Sequence, residues 1–158
     1  MDYFQMLRAR TRICQAACNV YNRGMAGTPK TFSLDVLFRA LADPTRLRLL
    51  NLIADREICV GYFVEILGVS QPKVSRHLAY LRKAGIVASR REGKWMHYRL
   101  AMPKDKVAHG ILRETLKHLR EDSKMRRDIS SLSSVCSAPK KCELLQGAPQ
   151  PGPILRVI

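Results

Sequence analysis

From Ser70 to Lys83 the chain reads Ser-Gln-Pro-Lys-Val-Ser-Arg-His-Leu-Ala-Tyr-Leu-Arg-Lys, a concentration of side chains suited to one kind of chemistry. Gln71 and Arg76 can each make paired hydrogen bonds to a purine edge, glutamine to adenine and arginine to guanine. Lys73, Ser75 and His77 suit phosphate oxygens as readily as base edges. Farther on, Arg90, Arg91 and Lys94 surround Gly93 and offer contacts to a phosphate backbone that are independent of base sequence and weakened by salt. The five cysteines, Cys14, Cys18, Cys59, Cys136 and Cys142, are the second reactive set. Their odd number, with no secretory signal beside them, points to cytoplasmic thiols rather than a disulfide framework.

Charge supports the first reading. The 158 residues carry 28 Lys and Arg against 13 Asp and Glu, a formal net charge of +15. Eight basic residues and one acid, Glu92, fall between Gln71 and Arg99. An excess of that size calls for a polyanionic partner, and its concentration in one zone favours nucleic acid. No apolar run is long enough to span a membrane, so no membrane partner is expected. With no nucleophile beside a base and no glycine-rich loop to cradle a phosphate, the sequence argues against an enzyme.

The elements that must position these groups follow from periodicity. Leu34, Leu37, Phe38, Leu41 and Ala42 recur at helical spacing, and Asp43-Pro44 stops that helix and starts another through Leu47, Leu50, Leu52 and Ile53. Val60, Phe63, Val64 and Leu67 predict a third helix closed by Gly68. Ser70 then caps a fourth helix ending at Gly85, and a helix, a tight glycine turn and a cationic helix make a helix-turn-helix pattern. Ile86–Arg90 and Trp95–Leu100 alternate like strands around Arg91-Glu92-Gly93-Lys94, which predicts a two-stranded basic hairpin. Pro103 opens a fifth helix whose stripe is Val107, Ile111, Leu112, Thr115, Leu116 and Leu119. The fold class expected is mostly α, α+β, a winged helix-turn-helix. Residues 1–33 read as an extension and linker, with Met6, Leu7, Arg10, Ile13, Ala17 and Tyr21 at weakly amphipathic spacing and Met25 offering a second start. Residues 34–122 form the predicted domain, and 123–158 a flexible Ser-rich, then Pro/Gly-rich tail carrying Cys136 and Cys142.

At this point the sequence resembles the ArsR/SmtB family of winged-helix repressors. The resemblance rests on Ala40-Leu41-Ala42-Asp43-Pro44-Thr45-Arg46-Leu47-Arg48-Leu49-Leu50, on Ser70 to Leu78 with Leu81-Arg82-Lys83-Ala84-Gly85-Ile86-Val87, and on Arg90 to Lys94 leading to Tyr98-Arg99-Leu100. It implies a homodimer built on the first and last helices, a palindromic double-stranded DNA operator, and release by a small inducer. The apolar stripe of the fifth helix agrees independently, because so small a domain has little of its own to cover it.

The resemblance also frames the inducer. Arsenic-sensing members open the third helix with Cys-Val-Cys; here Cys59 matches the first cysteine and Gly61 replaces the second. A family zinc site pairs ligands at the two ends of the last helix, where His118, Glu121 and Asp105 fit but Val107 stands in place of a histidine. Cys136 and Cys142, six positions apart beside Lys140 and Lys141, suit a soft ion as thiolates. Trivalent arsenic or antimony takes three sulfurs, so the reading is Cys136 and Cys142 with a third donor from Cys59 or from the dimer mate, or else Cys14 and Cys18 with Cys59. Thiol oxidation, zinc or an organic effector is the alternative signal.

Overall fold

Asp43 adopts extended backbone (φ −152°, ψ 125°) and its carboxylate accepts the Arg46 N–H at 2.9 Å, while Pro44 takes the first helical position. One dipeptide thus ends helix α1 (Leu34–Leu41) and starts α2 (Pro44–Ile53). Asp43→Ala removes this cap and lowers unfolding stability by about 0.5–2 kcal/mol in urea titration; an unchanged midpoint would show that the cap is idle.

The computed structural model describes residues 32–137 and 145–154. The predicted extension, with Cys14 and Cys18, lies outside them, as do Lys140, Lys141 and Cys142. Helix α2 is followed by strand β1 (Ile58–Cys59), α3 (Val60–Leu67), α4 (Gln71–Lys83), β2 (Val87–Glu92), β3 (Trp95–Leu100), α5 (Lys106–Glu121) and α6 (Ser123–Ser137). Gly68 closes α3 at φ 65°, a left-handed conformation that costs glycine nothing. The winged helix-turn-helix expected from the pattern is the fold observed.

Four details differ from the sequence reading. The wing is a three-stranded antiparallel sheet in the order β1-β3-β2, because Ile58 and Cys59 pair with Tyr98 and His97. Strand β2 runs on through Arg91 and Glu92, which pair with Met96 and Trp95, so the turn is only Gly93-Lys94. The fifth helix begins after Asp105, whose carboxylate accepts the Ala108 N–H at 2.8 Å, and not at Pro103. Its buried face is Ala108, Leu112, Leu116 and Leu119, which leaves Val107 58% exposed.

The fourth difference is α6, which occupies the start of the expected tail. Asp122 accepts the N–H groups of Met125 and Lys124, and these bonds hold its carboxyl below the ordinary range. Met125 and Leu132 are buried, and the helix packs on α2, α3 and α5. Arg48 of α2 forks onto both oxygens of Asp128 at 2.7 and 2.8 Å, and Asn51 donates to the Met125 carbonyl at 3.0 Å. The C-terminal segment returns as well: Leu145 is buried, and the Gly152 N–H donates to the Glu57 carbonyl at 2.8 Å.

The core runs between the helices and under the sheet. Leu49, Leu50, Tyr62, Phe63, Val74, Leu78, Leu81 and Leu112 are all fully buried within it. Burial of such side chains is worth about 1.5–3 kcal/mol each, enough to fix the α3–α4 angle on which the exposed face depends.

Candidate nucleic-acid interface

Helix α4 is two-faced. Val74, Leu78 and Leu81 are fully buried, while Gln71, Lys73 and Arg76 stand in solvent at its N-terminal half and Ser75 is half-buried between them. That division presents Lys73 and Arg76 on the solvent side of a helix whose diameter suits a groove about 12 Å wide, with Gln71 exposed at its first position beside Lys94 and Trp95 of the wing. His77 departs from the sequence reading. Its Nδ1 lies 3.5 Å from Asp43 Oδ1 and its side chain is largely covered, so it ties α4 to the start of α2 instead of facing outward.

Arg46 was not among the residues singled out from sequence, yet it sets the position of α4. Its guanidinium donates to the carbonyls of Ala40 and Arg39 at 2.7 Å each, closing the end of α1, and lies 4.5 Å from the centre of the Tyr80 ring. Three helices meet on that one side chain. The signal was present in the Asp43-Pro44-Thr45-Arg46 block, but the partners are remote in sequence or on another helix.

On the wing, Arg91 and Lys94 are exposed; Arg91 donates to the Gly93 carbonyl at 3.0 Å and Lys94 lies 5.1 Å from the centre of the Trp95 ring. Arg90 is occupied differently from the expectation of a free phosphate contact. It meets Glu57 Oε1 and Glu92 Oε2 at 2.6 Å each. Those hydrogen bonds push its guanidinium further up and hold the Glu92 carboxyl down. Beneath it His97, 3% exposed, places Nδ1 and Nε2 each 3.7 Å from the same two carboxylates. The register His97↔Arg90 creates this cluster, and only a correct pairing of β2 with β3 reveals it. Of Arg90, Arg91 and Lys94, Lys94 is the one bonded to no carboxylate or carbonyl among the described residues. Lys94→Ala reduces the salt slope of binding by about one unit of log K per log salt without altering base preference; an unchanged slope would remove Lys94 from the interface.

The family described as "Bacterial regulatory protein, arsR family" matches residues 43–89, from the Asp43 cap through α4 into β2. The Arsenic resistance transcriptional regulator ArsR2 of Pseudomonas putida is 44% identical over 81 residues, covering 51% of this chain and 70% of that protein. The chain belongs to the ArsR/SmtB family of transcriptional regulators. The Arsenic resistance transcriptional regulator ArsR1 of the same species is 53% identical over 66 residues, 41% of this chain and 52% of that one, so the chain spans about half the length of this relative. A Transcriptional repressor SmtB homolog from Synechocystis is 38% identical over 99 residues, covering 59% of this chain and 73% of that one.

In this ArsR/SmtB chain the described thiols are Cys59 and Cys136. Cys59 is fully buried at the entrance to α3; burial pushes its thiol up, against the opposing pull of the Gly61 and Tyr62 N–H groups. Cys136, half-buried on the last turn of α6, is likewise pushed up by burial, with Arg56 pulling the other way. This packing works against the thiolate form of Cys136, while the lysine neighbours on which that expectation rested, Lys140 and Lys141, lie outside the described residues. His118 Nδ1 and Glu121 Oε2 are 4.0 Å apart on an exposed face of α5, whereas Asp105 is engaged as the α5 cap. Among the described residues no three His, Cys, Asp or Glu side chains are grouped to hold a metal ion. No helix among them is long and apolar enough to cross a membrane.

Proposed function

We propose that this chain is a DNA-binding repressor that acts as a homodimer, seats α4 of each copy in successive major grooves of a palindromic operator, and releases it on binding trivalent arsenic or antimony through cysteine thiols. The observation that carries the DNA reading is the division of α4, with Gln71, Lys73 and Arg76 outside and Val74, Leu78 and Leu81 inside. Phe38 on α1 and Val107 on α5 support the dimer: both are large apolar side chains left in solvent by a single chain, at 55% and 58% exposure.

The state of the thiols supports arsenic over a divalent cation. Burial pushes the Cys59 and Cys136 thiols up, away from the thiolate form. Arsenous acid meets neutral thiols without a proton cost: each S–H proton joins a departing hydroxide, so three thiols and As(OH)₃ give As(SR)₃ and three waters. A divalent cation must instead expel each proton into solution, which makes its binding strongly pH-dependent. The assigned ligands are Cys136 and Cys142 with Cys59 as third donor, and Cys14 and Cys18 the alternative partners of Cys59.

Titration of the full chain with sodium arsenite and with zinc chloride between pH 6 and 8, on wild type and on each Cys→Ser variant, tests this. Arsenite affinity is expected to vary little with pH and to fall at least about tenfold for Cys136→Ser, Cys142→Ser and Cys59→Ser. Unchanged arsenite binding in all three would overturn that ligand set, and tighter, pH-steep zinc binding would overturn the choice of inducer.

A further inference from the structure

Where α2, α5 and α6 meet, the fold forms a half-open cleft of about 280 Å³ lined by Asn51, Asp55, Arg120, Met125, Arg126 and Ile129. Met125 is buried and Ile129 is one of the few large apolar side chains facing solvent, so the floor is apolar. At the rim Arg120 pairs with Asp55, whereas Arg126 has no acidic partner among the described residues. The nearest acids in sequence are committed elsewhere, Asp122 to the N–H groups of α6 and Asp128 to Arg48. Two guanidiniums and one carboxylate thus line the cleft, a local excess of positive charge.

We propose that this cleft is an effector site for a small amphipathic monocarboxylate, its apolar body on Met125 and Ile129 and its carboxylate bridging Arg126 and Arg120. The volume lies just under the range of about 300–1,000 Å³ usual for ligand pockets, so the occupant is small, of the size of an arylacetate. Charge-assisted bonds from two guanidiniums supply orientation, and the apolar floor supplies most of the affinity. Occupancy draws Arg120 away from Asp55, a residue of the loop that leads to β1 and α3. Two positions on, Glu57 of that loop holds Arg90 of the wing and accepts the Gly152 N–H. The ligand therefore competes for the tie between α5 and the segment that feeds the helix-turn-helix. Binding is independent of the repressor reading; its consequence for DNA rests on that reading.

The test is calorimetric titration of the full chain, without DNA, with phenylacetate, 3-phenylpropionate, 4-methylvalerate and the uncharged phenylacetamide. At least one acid is expected to bind saturably at one site per chain, with phenylacetamide at least about tenfold weaker than phenylacetate. Arg126→Ala weakens the acids about tenfold, Asp55→Asn tightens them by freeing Arg120, and Ile129→Trp fills the cleft and abolishes binding. Arg126 and Ile129 are exposed, and unchanged circular dichroism and melting temperature confirm that those variants fold. The proposal is overturned if none of the three acids saturates, if acid and amide bind alike, or if Arg126→Ala and Asp55→Asn shift affinity in the same direction. Acid binding that leaves operator affinity unchanged would uphold the site and overturn its link to repression.

Discussion

Phe38→Asp will leave the chain folded and monomeric, and will lower its affinity for a palindromic operator by at least about 100-fold. Phe38 is 55% exposed in a single copy and contributes little to that copy's own core. In a twofold interface through α1 and α5 it is covered, and an aspartate there buries an unpaired carboxylate. Symmetry repeats the fault on the partner, so two costs of about 1.4 kcal/mol or more each combine, and each such cost is a factor of ten. The monomer then holds one half-site alone. Sedimentation velocity and operator titration read the two effects separately. A dimeric Phe38→Asp with full affinity would place the interface elsewhere.

Arg76→Ala will reduce affinity for the cognate operator by about 5- to 150-fold while leaving random duplex within a few-fold of wild type. A bidentate arginine–guanine pair discriminates by about 1–3 kcal/mol, which sets that range. The residue is exposed on α4 five positions beyond Gln71, while its neighbour His77 is turned toward Asp43. Loss of its charge weakens every duplex slightly; loss of its paired bonds weakens only the cognate one. Competition binding with both duplexes at one salt concentration measures the ratio. Equal losses on the two would make Arg76 a phosphate contact and leave Gln71 to carry base reading.

Much of the fold was legible because local chemistry dictated it. Asp43-Pro44, Gly68 and Gly93 each impose a backbone conformation that few other residues would favour, and the apolar spacing of 74, 78 and 81 fixes which side of α4 faces in. Helix α6 was obscured by composition. Its apolar positions, Met125, Ile129, Leu132 and Val135, recur at helical spacing, but five serines from 130 to 137 give the segment the look of a linker. Strand β1 is two residues long and exists only because β3 offers an edge, so no local signal marks it.

The site was legible by residue type and less so by role. Gln71, Lys73 and Arg76 are exposed on α4. Arg90 stays exposed but is paired with Glu57 and Glu92, and His77 is largely covered beside Asp43; Glu57 and Asp43 come from other elements of the fold. Arg46 illustrates the same limit in reverse, as a helix residue whose value lies in carbonyls six and seven positions back and in an aromatic ring on α4.

The most direct measurement is a hydroxyl-radical footprint of the full chain on a duplex that it selects from a random-sequence pool, repeated with Arg76→Ala. Two protected half-sites, with centres one helical turn or a multiple of it apart and both lost together in the variant, are the predicted result. Uniform protection along the fragment, or two half-sites that persist without Arg76, would contradict the claim that paired α4 helices read this DNA.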